Sequence, residues 1–579
     1  MPTSFRISPL FFFACLIGCA PAPPSPAPDL LLLNARVYTL DWPDPSLAGQ
    51  ASARAPVVNG QWTPDATAIA IRDGHIEFVG ADAEASARYA NAARTIDLNG
   101  ATVLPGLVDT HTHFFELGAS LERVQLRGID TEDEAIAQVV QRARTTPKGE
   151  WIIGDGWDEG AWADRYPDKD KLSAAVPDHP VFMASLHSFA GWANQNALDV
   201  AGISADTPVP SGGEMRLGED GQPNGLFLNN GVDLIEAAIP AATLAQLKRY
   251  AMNGLTQMAR DGYVTVHDAG LSSAHMQALA ELAAANALPI RVFAMLSARD
   301  EALMRRWIER GPDTDPNGFL VTRSVKAYYD GALGSRGARL LEDYSDLPGH
   351  RGVSGDEYGF DEALVAEAMR AGFQVGVHAI GDAGNREVLD FFEGVVTANP
   401  ALRAGRHRIE HAQVLHPDDL PRLAALDVIA SMEPPHAMED KTWAEDRLGP
   451  SRIKGAYAWR SLRESGASIT FNADNPGSDH RIFYGLHSAV ARRDKTGQPV
   501  SGWYPDEGVT MEEAIRAYTS WSAFAGFRET QTGTIAVGKW ADLTVMDIDP
   551  FALAPASIGD LLDGEISLTI VDGKVIYGR

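Results

Sequence analysis

The chain has 579 residues, of which 45% are hydrophobic and 22% are charged, as in an ordinary globular protein. This length exceeds the size at which one hydrophobic core usually stops growing, so we expect one large domain and a smaller one. The formal net charge of −28, with no basic cluster along the sequence, disfavours a function that requires binding to nucleic acid.

The N-terminal residues predict export and a lipid anchor. The apolar run Leu10–Gly18 is too short to span a bilayer and is typical of the core of a secretory signal. It ends in Leu16-Ile17-Gly18-Cys19, which resembles the bacterial lipobox, whose cysteine is acylated. We therefore expect residues 1–19 to be a lipoprotein signal peptide and residues 20–28 a proline-rich tether. The alternative is an unmodified cysteine followed by a disordered leader.

This N-terminus also predicts the location and the type of metal ligand. An acylated Cys19 would hold the protein at the cell envelope, in the periplasm or at the outer membrane of a Gram-negative bacterium. Because Cys15 and Cys19 are the only cysteines, a processed chain would have no free thiol and no disulfide. Any metal site must then use histidine, carboxylate or similar nitrogen and oxygen ligands.

Both ends of the remaining sequence predict short strands separated by turns. Asp73-Gly74 and Asp572-Gly573 are typical hairpin turns between two such strands. Neither end has enough strands to bury a sheet face alone. We therefore expect one β-sandwich domain built from residues 29–104 and 530–579.

Between these ends, strands alternate with alanine-rich helices, which is the pattern of parallel βαβ units. It predicts an α/β fold: a (β/α)₈ TIM barrel over residues 105–529, with a subdomain inserted after the first strand, at about 115–255. The expected strands are Leu107–His113, Val264–Asp268, Ile290–Leu296, Val325–Asp330, Phe373–His378, His407–His411, Val428–Met432 and Ser468–Asp474.

Metal-binding residue types recur at the ends of these strands. His111 and His113 are two residues apart, so their side chains share one face of the first strand. Lys326, His378, His411 and Asp474 lie on the fourth, fifth, sixth and eighth strands. Since active sites of such barrels lie at the C-terminal strand ends, the set predicts a metal centre. Each histidine alone would be better explained as a structural residue, and Lys326 alone by a salt bridge to Asp330.

The chain resembles the amidohydrolase superfamily, in its amidohydrolase-3 or YtcJ-like branch, which includes enzymes that cleave N-substituted formamides. The resemblance covers the sequence from about residue 30 to the end. It rests on ordered motifs at Leu104–His113, Gly154–Asp158, Trp192–Leu198, Ser211–Glu214, Val264–Gly270, Val325–Ala338, His378–Asp382, Glu410–Gln413, Ala473–Pro476 and Gly533–Asp542.

By this resemblance, His111 and His113 hold one divalent metal ion, His378 and His411 hold a second, and Asp474 contacts the first. Lys326 bridges the two as a carbamate formed with carbon dioxide. A free ammonium has no lone pair for a cation, so Lys326 must lose its charge in any such role. Zinc is the expected metal, with one or two ions per chain.

The expected chemistry is hydrolysis of an amide-type, non-peptide C–N bond in a small molecule. A bound divalent ion polarises the substrate carbonyl and lowers the pKa of its water to about 7. Asp474 would accept the proton of that water and pass it to the leaving nitrogen. The alternatives are a dipeptidase, an N-acyl-amino-acid or cyclic-amide hydrolase of the same fold, and a non-catalytic surface lipoprotein that binds metal or ligand.

Further side chains are expected around this centre. Glu410, Asp382 and Asp268 are candidates to orient the ligating imidazoles, with surface or helix-capping carboxylates as the alternative. Arg336 is a candidate to bind a substrate carboxylate or carbonyl, with an exposed loop position as the alternative. Residues that could enclose the site are Trp157, Asp158, His187 and Trp192 of the insertion, together with His436 and Trp443 after the seventh strand. For Trp192, packing in the core of the insertion is the better explanation.

Two features depart from the family pattern. Alanine at Ala473 precedes the last-strand aspartate, where the family commonly has serine, and the segment His187–Asn194 is longer than usual. The first departure leaves the role of Asp474 intact. Because of the second, the substrate specificity of the family cannot be carried over to this chain. The expected partners are a small-molecule substrate and, through the lipid anchor, a membrane. The oligomeric state stays open, with a homodimer as one option.

Overall fold

A barrel-like sheet of parallel strands forms the centre of the molecule. The computed structural model describes residues 27–157, 166–185, 190–210, 213–313, 318–353 and 355–579, without the side chains of Asn230 and Asp356. Within these residues one sheet has eight parallel strands, each paired with the next along the chain: Leu107–Thr112, Tyr263–Leu271, Arg291–Ser297, Leu320–Tyr328, Gln374–Ala379, Arg408–His411, Ile429–Met432 and Ser468–Phe471.

A side-chain contact joins the first strand to the eighth, and a backbone hydrogen bond joins the first strand to the residues just after the eighth. Thr110 Oγ1 lies 3.1 Å from Thr470 Oγ1, and Asp474 N donates to His111 O at 3.0 Å. The strands are buried along most of their length, as expected for a parallel sheet covered by helices. The predicted (β/α)₈ barrel is confirmed.

The covering helices are amphipathic and have local start signals. Leu244–Arg260 begins with a capping box between Thr243 and Gln246 and buries Leu247 and Leu255. The helices of the barrel region are Phe114–Ser120, Leu244–Arg260, Ser273–Ala284, Glu301–Arg310, Glu362–Arg370, Asp382–Ala398, Leu420–Leu426, Pro434–Asp440, Ala444–Arg452, Trp459–Glu464, Ile482–Ala491, Met511–Ala517 and Ser520–Ala525.

The insertion after the first barrel strand has its own sheet and hydrophobic core. Helices Glu132–Ala143, Lys169–Ala175 and Gln195–Ala201 accompany the sheet. In the described part of the insertion the sheet consists, in spatial order, of Val124–Gln125, Ile152–Trp157, Val181–Ser185, Ala190–Ala193, Pro223–Asn229 and Gly213–Leu217.

Two further sheets form the predicted sandwich, and one of them combines both ends of the chain. Leu32, Val37, Leu543 and Ile570 are fully buried in one hydrophobic cluster between these sheets. One sheet contains, in spatial order, His75–Gly80, Ala68–Arg72, Leu30–Leu33 and Thr95–Asp97; the other contains Arg36–Val37, Thr102–Pro105, Leu543–Met546, Ile566–Val571 and Lys574–Gly578.

The predicted lipidation site, Cys19, and the signal peptide lie outside the described residues. No helix in the described part of the chain is long and apolar enough to cross a membrane.

A buried ion pair links the barrel to the sandwich. Arg291, at the start of the third barrel strand, donates from Nε to Asp542 Oδ2 at 2.7 Å, and the two side chains are 4% and 0% exposed. Asp542 also accepts the backbone N–H of Asp572 at 2.9 Å. The pair therefore ties both domains together at the base of the barrel.

Replacing Arg291 with methionine is expected to lower the free energy of unfolding by about 3–5 kcal/mol, since Asp542 would stay buried without its counter-ion. Urea denaturation at neutral pH measures the change. The double variant with Asp542→Leu removes both charges, so it should be more stable than Arg291→Met alone; an equal or larger loss in the double variant would contradict this reasoning.

Candidate metal centre

His111 is held in place from behind by a buried carboxylate. Its Nδ1 donates to Glu410 Oε2 at 2.7 Å, and both side chains are almost fully buried. Burial, together with the charge of Lys326, lowers the pKa of His111 to about 4. The neutral ring therefore directs the lone pair of Nε2 to the side opposite Glu410, where a cation could bind.

Asp474 lies beyond the end of the eighth strand, which stops at Phe471 rather than continuing to Asp474 as predicted. Its φ of 48° takes the backbone out of the extended region, so the chain turns at this residue. The carboxylate Oδ1 lies 3.1 Å from His113 Nε2 and 3.5 Å from His111 Nε2. Burial alone would raise the pKa of Asp474, but His111 and His113 beside it hold that pKa well below its usual range.

The position of His113 depends on tight packing of the helix that follows it. A Cβ atom at Gly254 would lie 2.0 Å from Phe114 O, so only glycine allows helix Leu244–Arg260 to approach this closely. Asp268 Oδ2 accepts the backbone N–H of Phe114 at 3.0 Å. Asp268 is thus a helix-capping carboxylate at the start of helix Phe114–Ser120, which follows His113.

His378 and His411 form the other half of the cluster. Their ring centroids are 4.4 Å apart, and that of His411 is 5.0 Å from that of His111. His411 Nδ1 donates to Glu433 Oε2 at 3.1 Å. His378 Nε2 is buried and lies 3.6 Å from Asp330 Oδ1, but it makes no hydrogen bond among the described residues. Burial lowers the pKa of this imidazole well below its usual value. A buried nitrogen without a hydrogen bond is costly, and a cation would offset that cost.

Lys326 points into the same cluster. Its Nζ lies 3.0 Å from His111 Nε2, and the residue is 1% exposed. Burial lowers the pKa of its ammonium, which favours the neutral amine. Asp330 instead accepts backbone N–H groups of Arg339, Ile380 and Gly381, and no ion pair of the described residues joins it to Lys326.

This donor set fits a divalent metal ion. His111, His411 and Asp474 each offer one ligand atom, and these three atoms lie within 4.8 Å of one another. Burial lowers the pKa of His111 and of His378, which favours their neutral rings, while the pKa of Asp474 is held low, which favours its carboxylate; these are the forms that metal ligands need. The residues that would hold the metal are His111, His113, Lys326, His378, His411 and Asp474.

The structure places several other predicted residues away from this cluster. Arg336 pairs with Asp346 at 2.8 Å, and Asp382 accepts the backbone N–H of Leu341 at 2.9 Å. Trp157 is fully buried in the core of the insertion and donates to Met183 O at 2.9 Å. Asp158 and His187 lie outside the described residues. Trp192 is also buried in the insertion core, and Trp443 lies over Gly334.

His436 lies close to the cluster. Its ring is nearly parallel to that of His411 at 6.4 Å, and its Nδ1 lies 3.6 Å from Glu433 Oε2. The side chain is 20% exposed, so it is accessible from the barrel mouth. Its position is compatible with a role in lining the substrate pocket.

Glu433 is a residue that sequence reasoning missed. It follows the seventh strand, and its Oε2 is shared between His411 and His436. The following Pro434-Pro435 resembles a plain helix start, which hides the role of this carboxylate. Glu433 could have been found from its place at the C-terminal end of a barrel strand, which is the criterion that identified the other candidate residues.

Replacing Glu433 with alanine is expected to weaken metal binding by about 10–100-fold, because His411 would lose the carboxylate that orients its ring. Competition with a chromogenic chelator measures the affinity. Glu439→Ala is the matched control, since Glu439 is on the same short helix but bonds Ser478. Equal affinities of the two variants would contradict the assigned role of Glu433.

Comparisons with known proteins agree with this geometry. A family model described as "Amidohydrolase family" matches residues 94–577. The putative amidohydrolase YtcJ of Bacillus subtilis is 33% identical over 524 residues, which cover 88% of this chain and 96% of the relative. The N-substituted formamide deformylase of Arthrobacter pascens is 27% identical over 570 residues, covering 95% and 98%.

A solved structure extends the likeness to three dimensions. An uncharacterized metal-dependent hydrolase from Pyrococcus furiosus matches with a TM-score of 0.70 and 26% identity, covering 90% of this chain and 99% of that one. The family model and the YtcJ relative each span most of the sequence. The chain therefore belongs to the amidohydrolase family of metal-dependent hydrolases.

Proposed function

We propose that this hydrolase cleaves the C–N bond of small non-peptide amides, with N-substituted formamides as the first substrate class to test. The observation that carries the proposal is the position of Asp474, an ionised carboxylate 3.1 Å from His113 Nε2 and 3.5 Å from His111 Nε2. A base is needed where water is activated next to a metal centre. The similarity to an N-substituted formamide deformylase supports the substrate class.

The chain's own residues account for the proton transfers. The histidines and Asp474 would hold a divalent ion, which would polarise the substrate carbonyl and lower the pKa of a bound water. Asp474 accepts one proton as water attacks the carbonyl carbon. It then donates this proton to the amide nitrogen as the C–N bond breaks, so a formamide yields formate and an amine.

Lys326 is proposed to contribute oxygen donors rather than its amine. The buried neutral amine adds to carbon dioxide and releases one proton, which gives a carbamate with two oxygens. The close approach of Nζ to His111 Nε2 supports this role, because the new oxygens would lie among the imidazoles. Zinc is the proposed metal, with two ions per chain if the carbamate forms.

The test combines metal analysis with substrate turnover on the purified full-length chain. Plasma mass spectrometry gives the metal content, and release of formate from N-benzylformamide gives the activity, with and without a chelator. N-acyl amino acids, dipeptides and cyclic amides are assayed in parallel. We expect bound zinc and chelator-sensitive formate release. Preference for another of these classes would change the substrate assignment, and bound metal without turnover of any class would favour the non-catalytic lipoprotein.

Export and lipidation at Cys19 are a separate proposal, supported by the lipobox-like sequence. Mass spectrometry of the membrane fraction is expected to show a chain that begins with an acylated Cys19. Cys19→Ala should abolish the modification and release the protein from the membrane; an unmodified mature chain would overturn the anchor.

A further inference from the structure

A charged side chain fills the interior of the barrel directly beneath the metal centre. Arg408, on the sixth strand, is 0% exposed, whereas barrel interiors of this kind are usually filled by branched apolar residues. A buried guanidinium loses its hydration, which is a cost unless every part of it finds a partner. An arginine at this position therefore suggests a role that an apolar residue could not provide.

Arg408 binds the carboxylate of Glu410, which orients His111. Its Nε lies 2.7 Å from Glu410 Oε1, and its Nη2 donates to Glu410 Oε2 at 2.9 Å. Both carboxylate oxygens thus lie against the guanidinium, Oε2 as a hydrogen-bond acceptor and Oε1 in a close ion-pair contact without hydrogen-bond geometry, and the two contacts together restrict the orientation of the carboxylate. Glu410 Oε2 is also the atom that accepts the hydrogen bond from His111 Nδ1.

The remaining donors of Arg408 connect neighbouring strands. Nη1 lies 3.0 Å from His267 Nδ1 on the second strand, and Nη2 lies 3.2 Å from Ser431 Oγ on the seventh. Nη2 also donates to Thr110 O, the carbonyl immediately before His111 on the first strand. One guanidinium thus cross-links the strand that carries His111, the strand that leads to Glu433 and its own strand, which ends in His411.

We propose that Arg408 is a positioning residue of the metal centre, which through Glu410 fixes the ring of His111 with Nε2 facing the cation. Without this side chain, Glu410 would lose the contacts that restrict its orientation, and His111 would sample other ring orientations. The inference rests on the proposed metal centre, and it adds the interaction that keeps one metal ligand, His111, in position. The proposed role of Arg408 is indirect, because its polar contacts go to Glu410, His267, Thr110 and Ser431.

The competing explanation is that Arg408 forms an ordinary structural ion pair. The chain contains a suitable comparison in Arg516, which is equally buried and pairs with Glu512 at 3.0 Å. Arg516 further binds the backbone carbonyl of Trp42 at 2.9 Å, so its contacts tie a C-terminal helix to the N-terminal segment. Its loss should weaken the fold without changing the metal ligands.

The experiment measures zinc affinity in folded full-length protein, by competition with a chromogenic chelator, for Arg408→Met, Arg408→Lys and Arg516→Met. The visible spectrum of the cobalt-loaded protein reports on ligand geometry, and circular dichroism confirms folding. We expect Arg408→Met to weaken zinc binding by at least about tenfold and to change the cobalt spectrum. Arg408→Lys keeps the charge but not the forked contact, so its affinity should fall between those of Arg408→Met and the wild type.

Arg516→Met is expected to lower the unfolding midpoint while leaving zinc affinity and the cobalt spectrum unchanged. Wild-type affinity in folded Arg408→Met, or a loss no larger than in Arg516→Met, would overturn the inference. If Arg408→Met does not fold, Arg408→Lys decides: a weaker affinity with an altered spectrum supports the role, and wild-type values overturn it. A wild-type chain that binds no zinc would instead refute the proposed metal centre itself.

Discussion

Replacement of Asp474 by asparagine is expected to lower kcat/KM for N-benzylformamide by about 10²–10⁴-fold, the usual contribution of a general acid–base residue. The amide keeps the shape of the carboxylate but cannot accept and return a proton. The backbone hydrogen bond from Asp474 N to His111 O is unaffected, so the loop should keep its course. Steady-state kinetics on metal-loaded protein measures the loss.

The control separates this chemistry from general damage to the barrel mouth. Asp382 is a buried carboxylate at the start of the helix after the fifth strand, where it accepts backbone N–H groups of Leu341 and Ala383. Asparagine there keeps an acceptor oxygen, and we expect little change in kcat/KM. Comparable losses in the two variants, or full activity in Asp474→Asn with metal bound, would contradict the proposed base.

The cluster of candidate ligands could be predicted because the type and spacing of each residue can be recognised in the local sequence. His111 and His113 share a strand face through their spacing, and His378 and His411 follow short buried runs that lead to strand ends. The structure brings all of these rings together with Lys326 and Asp474. The α/β alternation likewise predicted the barrel, and the two β-rich ends predicted the sandwich.

What could not be predicted are pairings across the fold. Arg336 pairs with Asp346, ten residues further along the chain, and Trp157 packs in the core of the insertion. Neither contact could be recognised from the local sequence pattern. A role for Glu410 in orienting a ligating imidazole was expected, but Arg408 behind it and Glu433 beside His411 were not. Residues that orient the metal ligands cannot be recognised by a characteristic spacing in the sequence, since the side chains that they contact lie on other strands.

The sequence also did not predict the backbone conformation at the site. His411, Ala412 and Asp474 have φ values of 75°, 42° and 48°, a region that residues with a side chain seldom adopt. Such conformations persist where the surrounding structure holds them and are concentrated at functional sites. They explain why Asp474 leaves the strand predicted to contain it and turns towards His111 and His113.

Replacement of Lys326 by methionine is expected to remove most of the bound metal and to lower kcat at least about 10³-fold. Methionine retains the length and apolar packing of the side chain but has no nitrogen to add to carbon dioxide, so it supplies no oxygen donor. The imidazoles and Asp474 would then have to hold the metal without a bridging anion. Plasma mass spectrometry gives the metal content, and formate release gives the rate.

A dependence on carbon dioxide tests the carbamate itself. Apo-protein reconstituted with zinc in buffer depleted of carbon dioxide should regain less metal and activity than protein reconstituted with added bicarbonate. The Lys326→Met variant should regain the same metal content and activity in both buffers, because it lacks the amine that reacts with carbon dioxide. If wild-type reconstitution is independent of carbon dioxide and Lys326→Met retains its metal, then Lys326 acts as a hydrogen-bond donor to His111, at the 3.0 Å separation observed, and the carbamate is refuted.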